Sequence, residues 1–280
     1  MQDFTIPVWV KNSLFQYNGV NDLPDDFYKS ISKRFEKFNC DDPEVSIVIP
    51  AWNEENNLAR TLNSLSFIET NYKVEIIVVN NNSTDKTQEL LDRCGVKSYF
   101  QPKQGISFTR QMGLEKSKGK IELCADSDTL YPPTWVDGFV EVLKNPEITC
   151  AYGKYSFIPP GKTSRPVMAL YEMVTNTLFR LRRKHRDYLN VMGFNFGFRV
   201  EDALKIGGFN LERTIWEDGW MAMKLSEIGK IGLVKSNKSK AWTMARRLEI
   251  DGGLYKSIIK RIKKEFPRLG EYVVKKDIKY

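Results

Sequence analysis

The first half of the chain alternates short apolar runs with polar loops and segments of helical spacing. Leucines spaced as on one helix face predict helices between these runs, and Gly119 is expected to end the third helix. Four runs rich in β-branched residues have the character of strands buried on both faces: VSIVIP (45–50), KVEIIVVN (73–80), VKSYFQ (96–101) and KIELCAD (120–126). This alternation predicts an α/β fold, a Rossmann-like, mostly parallel sheet flanked by helices.

Beyond Pro132 the alternation is looser, but helical and strand segments remain recognisable. The pattern predicts a strand in ITCAYGKY (148–155), a loop running into a strand in MGFNFGFR (192–199), a short helix in EDALKIGG, and helices at 135–143, 166–184 and 216–230. The first 44 residues lack clear periodicity apart from DFYKSISKRFEKF, whose spacing favours a short amphipathic helix. At the other end, apolar residues four apart over 254–266, with Lys and Arg opposite, predict a basic amphipathic helix.

Composition narrows the class of protein. With 41% hydrophobic and 28% charged residues, the chain can build a packed core and is not wholly disordered. It lacks the roughly 20 consecutive apolar residues of a spanning helix and the pattern of a secretory signal, so we expect a cytoplasmic protein. The four cysteines are far apart and are expected to be reduced thiols. The single histidine, His185, excludes a histidine-cluster metal site and is expected to be solvated.

The formal net charge of +8 is unevenly distributed, with basic residues concentrated in RLRRKHR (180–186) and in the tail from Arg246. Such segments bind anionic partners or form a solvated face. The tail helix is expected to rest on an anionic membrane surface, peripherally on its inner face, or to pack on the protein itself. Nucleic acid is not an expected partner, because the tail does not interleave aromatic with basic residues.

Polar loops follow the predicted strands and meet at one edge of the sheet, where ligands of such folds bind. The most informative is Asp126-Ser127-Asp128, after the fourth strand. Alternate side chains of a strand share a face, so both carboxylates can hold one Mg²⁺ or Mn²⁺ ion, which prefers oxygen ligands shared with phosphates. An isolated triplet of this kind is more often a solvated turn; its position after a buried strand favours the metal site.

Three further segments have a functional and a structural interpretation each. Glu217 and Asp218 stand at a helix start, where a carboxylate is either a general base or a partner of the helix dipole. Gly105 permits a tight turn, and Arg110 reaches either a phosphate and the acidic cluster or a surface ion-pair partner. The run Gly193 to Gly197 suits a loop over a sugar ring or a β-bulge.

Taken in order, these segments resemble family 2 glycosyltransferases, which have the A-type glycosyltransferase (GT-A) fold. The resemblance rests on VSIVIPAWNEENNLARTLNSL, EIIVVNNNSTDKTQEL, QGISFTRQMGL, GKIELCADSDT, GFNFGFR, GGFN and WEDGWMAMKLSEIG, and covers about residues 45–235. It implies an inverting transfer of a sugar from a nucleotide diphosphate sugar to a glycan or lipid-linked acceptor. Within the resemblance we expect a nucleotide-binding half (45–128) and an acceptor half (129–235). An N-terminal arm (1–44) and a basic tail (236–280) lie outside it.

The resemblance also implies roles for individual residues. Asp218 would be the catalytic base, with Glu217 orienting the acceptor or the base, and Asp126 and Asp128 would bind Mn²⁺ or Mg²⁺. Acceptor contacts would come from Gly193, Phe194, Asn195 and Trp216. The nucleotide sugar would contact Pro50, Ala51, Asn53, Glu54, Asn80, Asn82, Gly105, Arg110, Asp126 and Ser127.

The chain departs from the family pattern in three places. Asparagines 80–82 replace the frequent aspartates, and asparagine can still read a base edge. The QxxRW motif of processive members is absent, which favours transfer of single sugars, and Arg246 and Arg247 are expected to hold the leaving diphosphate there instead. No histidine follows Glu217 to match the metal-binding histidine of some relatives.

Two other classes of protein remain as alternatives. A sugar-phosphate nucleotidyltransferase also combines an α/β sheet with acidic metal ligands, but it would want a glycine-rich basic loop where this chain has AWNEEN. A non-catalytic lipid- or nucleic-acid-binding protein would account for the basic tail alone.

Overall fold

A computed structural model describes residues 3–161 and 163–245, together with positions 256, 259, 260, 263, 267 and 270. Its strands are β1 (Val45–Ala51), β2 (Val74–Asn80), β3 (Ser98–Phe100), β4 (Ile121–Cys124), β5 (Thr129–Leu130), β6 (Ile148–Gly153), β7 (Tyr155–Ile158), β8 (Phe196–Arg199), β9 (Lys230–Val234) and β10 (Ala241–Met244). Its α-helices are α1 (Val8–Ser13), α2 (Asp25–Phe35), α3 (Leu58–Ser66), α4 (Thr87–Arg93), α5 (Ile106–Lys116), α6 (Trp135–Leu143), α7 (Arg165–Arg182), α8 (Val200–Lys205) and α9 (Glu217–Leu225).

The main sheet has seven strands in the order β3-β2-β1-β4-β8-β6-β9. β1 pairs in parallel with β2 and β4, β2 with β3, and β6 with β9; β8 alone runs antiparallel to its neighbours in this sheet. β1 and β2 are buried along their whole length, as expected for strands covered by helices on both faces. The predicted mostly parallel, helix-flanked α/β sheet is confirmed.

A second sheet, in the order β5-β10-β7, lies beside the carboxyl edge of the first. β5 begins at Thr129, directly after Asp128, and pairs with β10. The Met244 amide donates to the Asp128 carbonyl at 3.1 Å. The small sheet therefore fixes the backbone that follows the acidic triplet.

The N-terminal segment packs on the helical layer over β1. Tyr17, Tyr28, Ile31 and Phe35 are buried in the same apolar cluster as the central strands. The Tyr17 hydroxyl accepts a hydrogen bond from the Ala59 amide at 3.1 Å, at the start of α3. The segment thus contributes to the main core, and α2 confirms the amphipathic helix predicted in DFYKSISKRFEKF.

The structure corrects the bounds of three predicted elements. α5 ends at Lys116, three residues before Gly119, because the backbone at Ser117 is extended and its hydroxyl bonds the Gly113 carbonyl. The helix predicted to Lys230 ends at Leu225 in a turn. The single strand predicted over 148–155 is two, β6 and β7, which separate at Lys154 and enter different sheets.

No helix in the described ranges combines the length and the apolar character needed to cross a bilayer.

Candidate active site

The loops after β1 and β2 are held together by side-chain to backbone hydrogen bonds. Asn53, whose φ of 52° is left-handed, accepts from the Thr84 amide at 2.8 Å and donates its own amide to the Ser83 hydroxyl at 3.0 Å. Asparagine tolerates this backbone region better than most residues. Glu54 is buried, its amide donates to Thr87, and its carboxylate accepts from Asn57. The two loops form one rigid edge above the sheet.

The asparagines after β2 order the neighbouring loop. Asn80 is buried, donates to Gln88 at 2.9 Å and accepts from the Ser83 amide at 3.1 Å, whereas Asn82 is exposed with a left-handed φ of 56°. Asn81, to which no role was assigned from sequence, accepts from the Gly105 amide at 2.9 Å. It thereby holds the turn at Gly105, where φ is 138°. Contacts of Asn80 and Asn82 with a nucleotide stay a prediction.

The acidic triplet is fixed in place by hydrogen bonds of its backbone. The Ser127 carbonyl accepts from Thr61 at 2.9 Å, and the Asp126 amide donates to the Tyr131 hydroxyl at 2.9 Å. That hydroxyl donates to the Phe194 carbonyl at 2.8 Å. Tyr131 therefore joins the triplet to the glycine–aromatic loop, a role that no local sequence signal marks.

Arg110 is buried at the centre of the site, with 2% of its surface exposed. Its Nη2 lies 2.9 Å from Asp126 Oδ1, and its Nε lies 3.2 Å from Glu217 Oε1. The guanidinium thus links the triplet to the acidic start of α9, and the alternative of a surface ion pair is wrong. Burial disfavours its charge, but the surrounding carboxylates, chiefly Asp126, outweigh burial and raise the pKa of Arg110.

Gly193 makes room for this guanidinium. A Cβ at position 193 would lie 2.5 Å from Arg110 Nη2 and 3.4 Å from Asp218 Oδ2. The first distance is too short for any side chain unless Arg110 moves. The glycine that sequence reasoning assigned to an acceptor loop is therefore required first by close packing on Arg110.

Asp218 is a partly desolvated carboxylate at the start of α9. Desolvation and the nearby Glu217 raise its pKa to about 6, although Arg110 and the amides of Gly219 and Gly193 oppose the rise. The Gly219 amide donates to Asp218 Oδ1 at 2.7 Å. A pKa in this range suits a group that takes a proton near neutral pH.

Trp216 begins α9 in a left-handed conformation, with φ of 62°. Its indole lies against Gly219, where a Cβ would be 1.9 Å from Nε1. Tyr188 packs on the ring at 6.3 Å between centroids, and the Arg213 guanidinium lies 5.4 Å from its centre. A bulky residue in this backbone region is strained, and such strain is concentrated at functional sites.

The structure gives Asn195 a task other than the expected acceptor contact. Its side chain is buried, accepts from the Trp135 indole at 2.9 Å and donates to the Lys154 carbonyl at 2.7 Å. The side-chain amide of Asn195 lies where β6 and β7 separate, and both its oxygen and its nitrogen are hydrogen-bonded. Phe194, half-buried and packed on Tyr155 with a centroid distance of 5.0 Å, keeps a position beside the site.

Pro50, Ala51, Arg246 and Arg247 are the other residues predicted to bind the nucleotide sugar or its diphosphate. Pro50 and Ala51 are buried at the end of β1, at the floor of the first loop. Arg246 and Arg247, and most of the predicted helix over 254–266, lie outside the described residues. Within the described residues no group of three His, Cys, Asp or Glu side chains is arranged to hold a metal ion.

A mostly parallel sheet with acidic side chains and interlocked loops at its carboxyl edge defines an α/β protein that binds its ligand at the strand ends. The profile of Glycosyl transferase family 2 matches residues 46–207, more than half of the chain. The chain therefore belongs to Glycosyl transferase family 2.

Related proteins carry glycosyltransferase names. The chain is 30% identical over 107 residues to a dolichol-phosphate mannosyltransferase of Pyrococcus furiosus, covering 36% of this chain and 30% of that protein. It is 27% identical over 203 residues to the probable glycosyltransferase YdaM of Bacillus subtilis, covering 67% and 47%. A validoxylamine A glucosyltransferase of Streptomyces hygroscopicus subsp. limoneus is 27% identical over 206 residues, covering 62% and 45%. The chain thus spans less than half the length of these relatives.

Solved structures share the fold. S. aureus TarS in complex with UDP superposes with a TM-score of 0.58 at 16% identity, covering 72% of this chain and 60% of that one. A mannosyltransferase from Pyrobaculum calidifontis in complex with GDP-Man and Mn²⁺ gives 0.56 at 17% identity, covering 90% and 81%. These likenesses confirm the A-type glycosyltransferase fold.

Proposed function

We propose that the protein transfers a single sugar, with inversion and with the help of a divalent cation, from a nucleotide diphosphate sugar to a hydroxyl of a glycan or lipid-linked acceptor. The observation that carries the proposal is the linkage of Asp126, through Arg110, to the acidic start of α9. The buried Arg110 side chain thereby connects two parts of the site. One is the edge expected to hold the nucleotide sugar, and the other is the pair of carboxylates expected to act on the acceptor.

The carboxylate oxygens of the acidic triplet are of the type that binds Mn²⁺ or Mg²⁺. The Asp126 side chain is one-third exposed and Asp128 is half-buried, and both follow directly after β4. Two carboxylates suffice for a cation that takes its other ligands from diphosphate oxygens and water. When bound, the cation would neutralise charge that develops on the departing diphosphate. The Pyrobaculum calidifontis mannosyltransferase, whose structure contains Mn²⁺, supports this assignment.

The chain's own groups would perform the proton transfer and the positioning. Asp218 takes the proton from the acceptor hydroxyl as that oxygen attacks the anomeric carbon, and the nucleoside diphosphate departs from the opposite face. Arg110 holds Glu217 and Asp126 in place and adds fixed positive charge near the leaving group, where preorganised charge is most effective. Trp216, two residues before Asp218, would contact the acceptor sugar. So would Phe194, whose carbonyl accepts from the Tyr131 hydroxyl that also holds the Asp126 amide.

Turnover of UDP- and GDP-sugars with Mn²⁺, followed by release of nucleoside diphosphate, tests the reaction. Release of inorganic diphosphate from a nucleoside triphosphate and a sugar phosphate would instead establish a nucleotidyltransferase. Asp218→Asn should lower kcat by about 10²- to 10⁴-fold, the usual contribution of a positioned base. Asp26→Asn, which changes an exposed carboxylate far from the site, is the matched control.

The cation has a separate test. Asp128→Ala should remove the dependence of donor binding on Mn²⁺, measured by calorimetry with the nucleoside diphosphate alone. Full activity of this variant with the metal chelated would refute the metal assignment, and near wild-type activity of Asp218→Asn would refute the assignment of the base.

A further inference from the structure

The long helix α7 turns an apolar stripe outward. Val167, Leu170, Val174 and Leu181 are exposed by 44%, 58%, 64% and 42%, and they follow each other at intervals of three, four and seven residues. On a helix this spacing places all four on one face. Met173, also exposed, lies at the border of the stripe. Scattered exposed apolar residues are ordinary, but a continuous stripe marks an interaction surface.

The exposed charges at the carboxyl end of α7 and directly after it are all basic. Arg180, Arg183 and Lys184 are exposed at its carboxyl end. Its single acidic residue, Glu172, is buried on the opposite face, where Arg165 Nη2 lies 2.8 Å from its Oε2. The outward face of α7 therefore combines apolar side chains with basic ones and has no acidic residue.

We propose that the outward face of α7 docks on an anionic lipid bilayer surface. The apolar stripe would enter the boundary between headgroups and acyl chains, and the basic end would contact anionic headgroups, as in interfacial amphipathic helices. A symmetric contact between the α7 faces of two copies fits less well, because it would bring these basic residues against a face that has no acidic residue to pair with them. The net charge of +8 favours the same anionic partner.

The position of α7 in the chain connects this surface to the site. The helix leads through the turn Asp187–Asn190 into the loop that carries Gly193, whose amide contacts Asp218. In that turn Tyr188 packs on Trp216. Docking would bring the acceptor side of the site close to the bilayer, which favours a lipid-linked acceptor; this last step rests on the proposed function.

Co-sedimentation of the full chain with vesicles tests the surface. We expect the wild type to pellet with phosphatidylglycerol–phosphatidylcholine vesicles and, at low salt, at least tenfold less with phosphatidylcholine alone. The double variant Leu170→Glu and Val174→Glu should bind the anionic vesicles at least tenfold more weakly. The double variant Arg180→Glu and Lys184→Glu should weaken vesicle binding about fivefold or more for each residue changed. Ile228→Glu, at an exposed apolar position outside α7, is the matched control and should pellet as the wild type does.

Unchanged pelleting of the α7 variants would overturn the proposal, particularly if Ile258→Glu with Ile262→Glu, in the basic tail, abolished it. A wild type that forms a dimer, and becomes monomeric in the α7 variants without binding vesicles, would overturn it in favour of a second copy. Thermal unfolding of each variant checks that folding is intact. Donor turnover is measured separately without vesicles, so failure of the proposed reaction and failure of docking are distinguished.

Discussion

Replacing Asp218 by asparagine should make the protein more stable at neutral pH while removing the proposed base. The pKa of Asp218 rises from an ordinary 3.8 to about 6, so ionising it in the folded protein is unfavourable. At 1.36 kcal/mol per pH unit, this corresponds to about 3 kcal/mol. Asparagine resembles the protonated carboxyl in shape, keeps an acceptor for the Gly219 amide and avoids the cost of ionisation.

The sign of the pH dependence follows from linkage. A carboxyl whose folded pKa is raised stabilises the fold below its unfolded pKa, near 4, and that contribution is lost as pH rises through about 6. The stability advantage of Asp218→Asn should therefore grow between pH 4 and pH 7 and then level off. For a domain of this size, a gain of about 3 kcal/mol corresponds to a rise in Tm of roughly 5–10 °C.

The assay is thermal or urea unfolding of the wild type and Asp218→Asn from pH 4 to pH 8, with divalent cations removed. Asp26→Asn, at a fully exposed carboxylate, should show no such pH-dependent difference. The reasoning is refuted if Asp218→Asn is less stable than the wild type at pH 8, or if the difference does not change with pH. Either result would mean that Arg110 and the backbone amides offset the cost of burying the charge.

Three other outcomes are expected. Arg110→Met should destabilise the fold by about 3–5 kcal/mol, because it leaves two carboxylates at the site without their shared partner, and urea unfolding measures this. Tyr131→Phe should cost about 1–3 kcal/mol, because the hydroxyl joins the Asp126 amide to the Phe194 carbonyl; unchanged stability would contradict this link. The kcat/KM of the transfer should rise with pH through a midpoint near 6 as Asp218 loses its proton, whereas a flat profile would argue for another base.

The pattern of apolar runs predicted the sheet because a parallel strand buried on both faces needs an uninterrupted apolar sequence. It did not predict the split of β6 and β7, because that break depends on Asn195 entering from a segment 41 residues away. The packing of Tyr17 against the start of α3 was likewise not predicted, although Tyr28, Ile31 and Phe35 do have the helical spacing of α2. Such contacts are tertiary and leave no local signal.

At the site, the types of residue were predictable from sequence but their partners were not. Asp126 and Glu217 were recognisable in sequence as acidic residues at the ends of secondary-structure elements. Their common bond to Arg110 was not, because Glu217 lies 107 residues from Arg110. The sequence does not distinguish Asn81 from its identical neighbours Asn80 and Asn82, so the role of Asn81 was not predicted. Only the fold shows that Asn81 holds Gly105 and that Asn80 bonds within its own loop.

The charges at the site bear on two features, the raised pKa of Asp218 and the proposed cation. Four carboxylates, those of Asp126, Asp128, Glu217 and Asp218, lie near the buried guanidinium of Arg110 at this edge of the sheet. When all are ionised, the carboxylates outnumber this guanidinium; burial raises the pKa of Asp218, and the charge of Glu217 raises it further. A divalent cation at the triplet would reduce that surplus and attract the donor diphosphate. The same imbalance would suit both proposed roles, that of Asp218 as the base and that of the neighbouring triplet as the cation site.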